Sequence, residues 1–136
     1  MGYTASLSLG FSINNKKNNI ICLDGDGSFL MHMGSMNTFS NFGNKNLKYV
    51  LINNNSHDSV GGQTTFLNKI NLRKLSLSLG FKKYYLIKNK FDLDKNLEKF
   101  LKSKSLSFLE VRTSINKIKD LPRPKNLVQV KKRFII

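Results

Sequence analysis

The chain has 136 residues and a formal net charge of +15, with 40% hydrophobic and 23% charged residues. This length fits one domain, and the composition is that of a globular protein rather than of a disordered segment. No apolar run reaches the roughly 20 residues that a membrane-spanning helix needs, and a single cysteine, Cys22, excludes an internal disulfide. No positively charged segment precedes an apolar run at the start, so we expect a cytoplasmic protein without a membrane partner.

The positive charge is concentrated in the second half of the chain. Residues 1–66 carry a net charge of +1, whereas residues 67–136 carry +14. Such a surface could bind a polyanion, and a basic polyanion-binding module is therefore an alternative function. Only four of the basic residues are arginines, and aromatic and basic residues do not alternate in the manner of a known nucleic-acid reader. We do not expect nucleic acid as the partner.

Short apolar runs alternate with segments of helical periodicity along the chain. Helices are predicted over residues 2–13, 29–39, 68–79 and 92–103, and strands over residues 20–23, 47–52, 83–87 and 106–112. This alternation implies βαβ units with right-handed connections. The predicted fold class is therefore α/β, with a mostly parallel sheet between two helical layers (α/β/α) in a single domain.

Four local features refine these predictions. On the face of the first helix that turns inward we expect Ala5, Leu9 and Ser12. Ser28 is expected to cap the helix over 29–39, and Gly80 to end the helix over 68–79. The helix over 92–103 is expected to turn four apolar side chains inward: Leu93, Leu97, Phe100 and Leu101. Residues 120–136 are predicted to form an extended basic tail.

Polar residues follow two of the predicted strands. Residues 24–28 read Asp-Gly-Asp-Gly-Ser, and residues 53–56 read Asn-Asn-Asn-Ser. Ligands of parallel sheets bind beyond the carboxyl ends of the strands, so Asp26 and Asn54 would meet at one edge if the strands are neighbours. A carboxylate and an amide oxygen suit Mg²⁺ or Ca²⁺ rather than zinc. Each motif alone is also a common turn sequence.

Gly27 and Ser28 directly precede the second predicted helix. Free backbone N–H groups at the start of a helix favour an anion, and a glycine lets phosphate oxygens approach the backbone closely. Together with the candidate metal ligands, these residues are typical of a clamp for a metal ion and a diphosphate.

The motif that runs from Gly25-Asp26-Gly27 to Asn53-Asn54 resembles that of the thiamine diphosphate-dependent decarboxylase family. The resemblance covers nearly the whole chain and implies the thiamine diphosphate-binding fold over residues 1–136, specifically the C-terminal, diphosphate-binding domain. It implies thiamine diphosphate and Mg²⁺ as cofactors, with Mg²⁺ bound by Asp26, Asn54 and the Ser56 carbonyl. The cofactor-binding residues implied by the resemblance are Met1, Gly2, Gly25, Asp26, Gly27, Ser28, Asn54 and Ser56.

Residues 53–64 (NNNSHDSVGGQT) are most similar to the phosphonopyruvate and sulfopyruvate decarboxylases within that family. The resemblance implies a carboxy-lyase that converts phosphonopyruvate, a small anionic 2-oxoacid, to phosphonoacetaldehyde and CO₂. A sulfopyruvate decarboxylase beta-type subunit and an acetolactate synthase-like enzyme are the alternatives. Asn55 stands where this branch usually has glycine, and asparagine tolerates a left-handed backbone better than most residues. His57 is the catalytic candidate because histidine can transfer protons near pH 7, although a loop histidine is more often simply solvent-exposed or hydrogen-bonded.

The resemblance also implies that a part of the catalytic site lies elsewhere. Family members use a second domain that holds the aminopyrimidine and supplies a glutamate, and neither Glu98 nor Glu110 is predicted near the motif. Met1 and Gly2 fall inside the family's segment before its first helix, so the chain resembles a domain truncated at its N-terminus or half of a split enzyme. We expect a homo- or hetero-oligomer with a pyrimidine-binding domain or subunit; an inactive fragment is the other possibility.

Overall fold

The computed structural model describes residues 1–115, 122 and 124–134, except for the side chain of Phe134. Within these residues the chain forms four strands and six α-helices. The strands are β1 (Ile20–Gly25), β2 (Leu47–Asn53), β3 (Lys83–Ile87) and β4 (Ser107–Arg112). The helices are α1 (Thr4–Asn14), α2 (Asp26–Met31), α3 (Ser35–Phe42), α4 (Leu72–Ser78), α5 (Lys90–Leu101) and α6 (Leu127–Phe134). Two short 3₁₀ turns cover Asp58–Val60 and Leu67–Lys69.

The described strands form one sheet in the order β1-β2-β4-β3, and every pairing in it is parallel. Successive side chains of a strand point to opposite faces, so β2 contributes to two cores. Tyr49 and Leu51 pack with residues of α1 to α4 on one face. Val50 packs with Phe100 of α5 on the other face. The predicted α/β/α arrangement with a parallel sheet is confirmed.

An aromatic cluster on the α1–α4 face forms the centre of the larger core. The fully buried Tyr49 ring lies 5.1 Å from that of Phe108 and 5.4 Å from that of Phe39, measured between ring centroids. Phe81 extends the cluster, with its ring 5.2 Å from that of Phe108. These rings join β2, β4 and α3, so the core holds together elements that are far apart in the sequence.

Two potentially reactive side chains are buried in the sheet. Burial raises the pKa of the Cys22 thiol to about 12, so this thiol stays neutral near pH 7 and packs as a small apolar group. Burial, followed by the nearby charge of Lys83, lowers the pKa of the Lys48 ammonium. Lys48 Nζ donates a hydrogen bond to the Ser103 carbonyl at 2.6 Å and lies 5.9 Å from the centre of the Phe100 ring. These contacts compensate the buried amine.

The structure corrects the expected helix after the first polar turn. The helix begins at Asp26, and Ser28 lies inside it rather than capping it. Instead of one helix over 29–39 there are two, α2 and α3, because the backbone leaves the helical region at His32 (φ −134°, ψ 41°). The His32 Nδ1 atom lies 3.2 Å from the carbonyl oxygen of Gly2, so a contact with the start of the chain accompanies this break.

For α1, α4 and α5 the predicted positions agree with the structure better than the predicted burial of their side chains. The buried residues of α1 are the three expected ones, and Gly80 follows α4 with a φ of +108°, as its role at a helix end requires. Of the four residues expected inward on α5, however, only Phe100 is buried. Leu93, Leu97 and Leu101 are exposed. In the described residues α5 packs mainly on β3 at the edge of the sheet, which leaves much of its apolar stripe uncovered.

The prediction of an extended tail over residues 120–136 is wrong for residues 127–134, because these residues form the helix α6. The Asn126 side chain accepts a hydrogen bond from the Gln129 backbone N–H at 3.1 Å, which caps its first turn. No glycine or proline interrupts the eight residues of α6. Residues 116–121, 123, 135 and 136 lie outside the described residues. No helix in the described part of the chain is long and apolar enough to cross a membrane.

We predict that Phe39→Ala lowers the free energy of unfolding by about 3–5 kcal/mol, because the lost ring leaves a cavity in the aromatic cluster. Phe42→Ala is the matched control on the same helix, since Phe42 is 70% exposed and Phe39 is fully buried. The control should change the free energy by no more than about 0.5 kcal/mol. Urea unfolding followed by circular dichroism measures both, and equal losses would contradict the placement of α3.

Candidate functional site

The parallel pairing of β1 with β2 brings the C-terminal ends of both strands, and the polar residues that follow them, to the same end of the sheet. Gly25 is opposite Ile52 in the register, so the motifs that follow them are adjacent. A cavity of about 280 Å³ opens between these ends. Eight of the nine predicted site residues line it: Met1, Gly25, Asp26, Gly27, Ser28, Asn54, Ser56 and His57. The ninth, Gly2, donates a backbone hydrogen bond to Ser28 Oγ at 2.8 Å.

Asp26 is a buried carboxylate at the start of α2, with 3% of its surface exposed. Its Oδ1 accepts from the Gly27 N–H at 2.9 Å, and its Oδ2 accepts from Thr65 Oγ1 at 2.8 Å. No lysine or arginine among the described residues forms an ion pair with it. A buried carboxylate is stabilised by a positive charge, so this position suits a cation.

Asn54 and Ser56 are held together by Asp58, a residue that sequence reasoning did not assign to the site. The Asn54 amide nitrogen donates to Asp58 Oδ2 at 2.7 Å, and Ser56 Oγ donates to Asp58 Oδ1 at 2.7 Å. Asn54 Oδ1 also accepts from the Ser56 N–H at 3.0 Å. A carboxylate can only accept hydrogen bonds, so the Asn54 amide must turn its nitrogen toward Asp58. Asp58 thereby fixes the orientation of the Asn54 amide group.

The loop after β2 folds back on itself to form one wall of the cavity. Asn55 has a φ of +57°, which confirms that asparagine takes the left-handed position where the related branch usually has glycine. Ser56 and Thr64 form an antiparallel bridge, and the His57 N–H donates to the Gln63 carbonyl at 2.7 Å. The loop is thereby closed on both sides of the short turn that contains Asp58.

Gly27 is a glycine because another side chain occupies the space beside it. A Cβ at this position would lie 2.4 Å from His57 Nδ1, which is far closer than van der Waals contact. His57 therefore packs directly against the turn that carries Asp26. Ser59 and Met1 also line the cavity, and Ser59 Oγ donates to the Met1 sulfur at 3.1 Å, which holds the first residue there. The cavity is thus lined by residues from three segments of the chain: residue 1, residues 25–28 and residues 52–59.

A second buried carboxylate supports the turn from below. Tyr49 OH donates to Asp24 Oδ2 at 2.8 Å, and the Gly25 N–H donates to Asp24 Oδ1 at 3.1 Å. Burial, and then the charge of Asp24, raise the pKa of Tyr49 far above its usual value, so its hydroxyl remains a donor at any physiological pH. The aromatic cluster therefore fixes the backbone at Gly25, directly before Asp26.

Neither glutamate lines the cavity, but the expectation that both lie far from the motif is wrong for Glu110, which is bonded to Asn53. Glu98 is exposed on α5 and pairs with Lys102 one helical turn later. Glu110 is buried in β4 and accepts hydrogen bonds from Asn53 Nδ2 at 3.0 Å and from Arg112 Nε at 2.7 Å. Neither lines the cavity that holds Asp26.

The donor set at the cavity is one of hard oxygen atoms. The described residues contain no group of three or more histidine, cysteine, aspartate or glutamate side chains that could hold a metal ion. A cation here would therefore use amide and carbonyl oxygens beside the carboxylate of Asp26, which is the ligand chemistry of Mg²⁺ and Ca²⁺. Asn54 and Ser56 carry such oxygens on the same cavity wall.

Comparison with known proteins identifies similar sequences and a similar fold. Residues 1–111 match the family described as thiamine pyrophosphate enzyme, C-terminal TPP binding domain. A phosphonopyruvate decarboxylase of Streptomyces viridochromogenes is 28% identical over 135 residues, which is 98% of this chain and 34% of that protein. Sulfopyruvate decarboxylase subunit beta of Methanocaldococcus jannaschii is 37% identical over 81 residues, 59% of this chain and 43% of that subunit.

A solved structure from Mycobacterium smegmatis, described as a thiamin diphosphate-dependent enzyme, has the same fold. It superposes with a TM-score of 0.58 at 17% sequence identity and covers 82% of this chain and 21% of its own. The chain spans about a third of the length of the Streptomyces relative and less than half of the length of the Methanocaldococcus subunit.

We predict that Asp58→Ala loosens the loop of the cavity, because Asn54 and Ser56 lose their common acceptor. The loss of these hydrogen bonds should cost about 1 kcal/mol locally and raise amide hydrogen exchange at His57 and Gly62 roughly five- to tenfold. Asp94→Ala, an exposed aspartate on α5, is the matched control and should leave these amides unchanged. Unaltered exchange in the Asp58 variant would show that the loop is held by its backbone bonds alone.

Proposed function

The chain belongs to the thiamine pyrophosphate enzyme family, as its C-terminal TPP binding domain, and on this premise we propose that it is the diphosphate- and Mg²⁺-binding half of a 2-oxoacid decarboxylase. The observation that carries the proposal is the single cavity that gathers Asp26, Asn54 and Ser56 around Gly27. Buried negative charge, neutral oxygen donors and a backbone turn that is open at Gly25 meet there. These are the features that a metal–diphosphate group requires.

In this proposal Mg²⁺ is held by three oxygen ligands. They are the Asp26 carboxylate, the Asn54 side-chain oxygen and the Ser56 main-chain carbonyl. Thr65 holds one oxygen of Asp26 through its hydroxyl, and Asp58 holds the nitrogen end of the Asn54 amide. These two residues are positioning residues, because they restrict the ligands before the ion binds.

The diphosphate lies, in this proposal, against the turn at Gly25, Gly27 and Ser28. Bound thiamine diphosphate supplies the nucleophilic carbon and the electron sink that decarboxylation of a 2-oxoacid needs. The chain clamps the diphosphate through its backbone, while Met1 and Gly2 contact the rest of the cofactor. Gly2 already bonds to Ser28, so the first residues and the clamp move as one unit.

His57 is proposed to orient the substrate or to deliver a proton. Its ring lies against Gly27 and lines the same cavity as the metal ligands. An imidazole can hold or release a proton near pH 7, and the closed loop fixes its position relative to the clamp. A neutral histidine beside the diphosphate could donate from either ring nitrogen, depending on its tautomer.

The substrate is proposed to be phosphonopyruvate, with sulfopyruvate as the alternative and acetolactate synthase-like chemistry as a more distant one. The phosphonopyruvate decarboxylase from Streptomyces viridochromogenes aligns with 98% of the chain, whereas the sulfopyruvate subunit aligns with 59%. Both proteins are named for 2-oxoacids that carry a second anionic group. We place the reaction in the cytoplasm.

The proposed partner is a pyrimidine-binding domain or subunit that supplies the catalytic glutamate. Neither Glu98 nor Glu110 lines the cavity, and the matched relatives are longer than this chain. Three apolar side chains offer a surface that such a partner could cover: Leu7 of α1 with Ile21 and Leu23 of β1, all exposed. A homo- or hetero-oligomer would complete the catalytic site.

We predict that thiamine diphosphate binds the purified chain only with Mg²⁺ present and only with Asp26 intact. Isothermal titration calorimetry should give a saturable signal for the unchanged chain, none with a chelator, and at least about 100-fold weaker binding for Asp26→Asn. This substitution keeps the volume and one acceptor oxygen but removes the charge. Asp94→Asn is the matched control, and an equal loss in both variants would exclude Asp26 as the metal ligand.

We predict that decarboxylation needs both halves. A chimera that joins this chain to the segment of the Streptomyces relative outside the match should release CO₂ from phosphonopyruvate faster than from sulfopyruvate. The chain alone should release none, because a catalytic glutamate is lacking at its cavity. The Asp26→Asn chimera is the negative control. A chimera that binds thiamine diphosphate and Mg²⁺ but releases CO₂ from neither oxoacid would contradict the proposed substrates.

A further inference from the structure

A second, larger cavity lies beside β3 and the C-terminal end of β4, whereas the first cavity lies at the C-terminal ends of β1 and β2. It has a volume of about 600 Å³ and is formed between the segment that enters α4, strand β3 and the last residue of β4. Three cationic side chains from separate elements line it: Lys69, Arg73 and Arg112. It shares no lining residue with the cavity at Asp26 within the described part of the chain. Its chemistry is therefore distinct from that of the proposed cofactor site.

Arg112 is oriented by a carboxylate that is completely buried. Arg112 Nε donates to Glu110 Oε1 at 2.7 Å, while the arginine side chain remains 46% exposed toward the cavity. Asn53 Nδ2 and Tyr84 OH also donate to Glu110. A guanidinium group has five N–H donors, so one that is held through Nε retains donors for a second partner. Arg112 is thus fixed in direction before any ligand arrives.

The neighbouring phenol helps to keep this arrangement in place. Burial, and then the hydrogen bond to Glu110, raise the pKa of Tyr84, so the hydroxyl stays protonated and donates to the carboxylate. The Glu110 hydrogen bond likewise raises the pKa of Arg112. Glu110 compensates one positive charge at the cavity through this network.

Two positive charges at the cavity remain without a carboxylate. Neither Lys69 nor Arg73 forms an ion pair with a described residue. Lys69 Nζ lies 5.2 Å from the centre of the exposed Phe66 ring, a contact that leaves its charge uncompensated. With Arg112 paired to Glu110, the wall of this cavity has an excess of two positive charges. Such an excess in a concave, partly apolar site attracts a compact anion.

We infer that this cavity binds a small organic molecule that carries a phosphate, phosphonate or sulfonate group. A tetrahedral oxyanion accepts hydrogen bonds from several directions, which matches donors that arrive from three elements. Ile70, Leu72 and Tyr85 provide apolar and aromatic wall for the organic part. The volume lies within the range of roughly 300–1,000 Å³ that is typical of small-molecule sites. The inference uses no residue of the proposed cofactor site.

Phenyl phosphate is titrated into the full chain in the absence of Mg²⁺ and thiamine diphosphate. Binding is measured from the amide shifts in ¹H–¹⁵N correlation spectra recorded at each addition. We expect saturable shifts at the amides of residues 68–73 and 84–86. Lys69→Gln and Arg73→Gln should each raise the Kd at least about tenfold, since each removes a charge-assisted contact. Lys17→Gln and Arg133→Gln are the matched controls on exposed residues outside both cavities, and they should change the Kd less than about twofold. Inorganic phosphate and phenyl sulfonate, titrated alongside, report the contributions of the organic part and of the anion type.

Three outcomes would overturn the inference. Shifts at residues 25–28 and 54–58, with none at residues 68–73 and 84–86, would place the anion in the cofactor cavity instead. Equal losses in the cavity variants and in the control variants would indicate attraction by net charge alone. Tight binding of a single-stranded oligonucleotide, weakened by Lys17→Gln and Arg133→Gln as much as by Lys69→Gln, would assign the surface to a polyanion. Because Asp26→Ala leaves this second cavity intact, failure of the proposed function and failure of this inference give different results.

Discussion

The parallel pairing of β1 with β2 is the constraint on which the site depends. Two neighbouring strands that run in the same direction must end at the same edge, and here the register places Gly25 opposite Ile52. The side chains that follow those two residues are then neighbours, although Gly25 and Ile52 are 27 positions apart in the sequence. An antiparallel arrangement of the same strands would put Asp26 and Asn54 at opposite ends of the sheet, and no cavity could gather them.

The aromatic core and the polar edge are one mechanical unit, joined by Tyr49. Its ring packs between Phe39 and Phe108, while its hydroxyl bonds to Asp24, whose other oxygen holds the Gly25 N–H. The position of the Asp26 turn is therefore set by packing in the core as well as by local backbone preference. A cavity whose base is fixed in this way keeps its shape before a ligand binds, which lowers the ordering cost of binding.

The four strands and the parallel sheet follow from local signals in the sequence, whereas most of the cavity residues were predicted from the resemblance to a known family. Apolar runs mark the buried strands, and glycine or asparagine marks the turns that follow them. The end of α4 at Gly80 is predicted from such a signal, whereas the left-handed Asn55 is predicted from the resemblance to a branch that usually has glycine there. The break at His32 and the role of Asp58 depend on side-chain contacts instead. Asp58 follows Ser56 by only two residues, so its hydrogen bond to Ser56 is a local contact that could have been suspected from the sequence. The hydrogen bond from Thr65 to Asp26 spans 39 residues, and no local pattern in the sequence predicts it.

The net charge of the whole chain is a poor guide to the first cavity, because electrostatics at a site depend on which charges are near it. At about 0.1 M salt the Debye length is about 10 Å, so exposed lysines elsewhere on the surface contribute little at a given cavity. The first cavity holds two carboxylates, Asp26 and Asp58, in a chain with a charge of +15. The second holds an excess of positive charge at the same edge. Asn53 separates them: it precedes the candidate metal ligand Asn54 and donates to the buried Glu110 that orients Arg112. One strand end thus divides the edge into a part suited to cations and a part suited to anions.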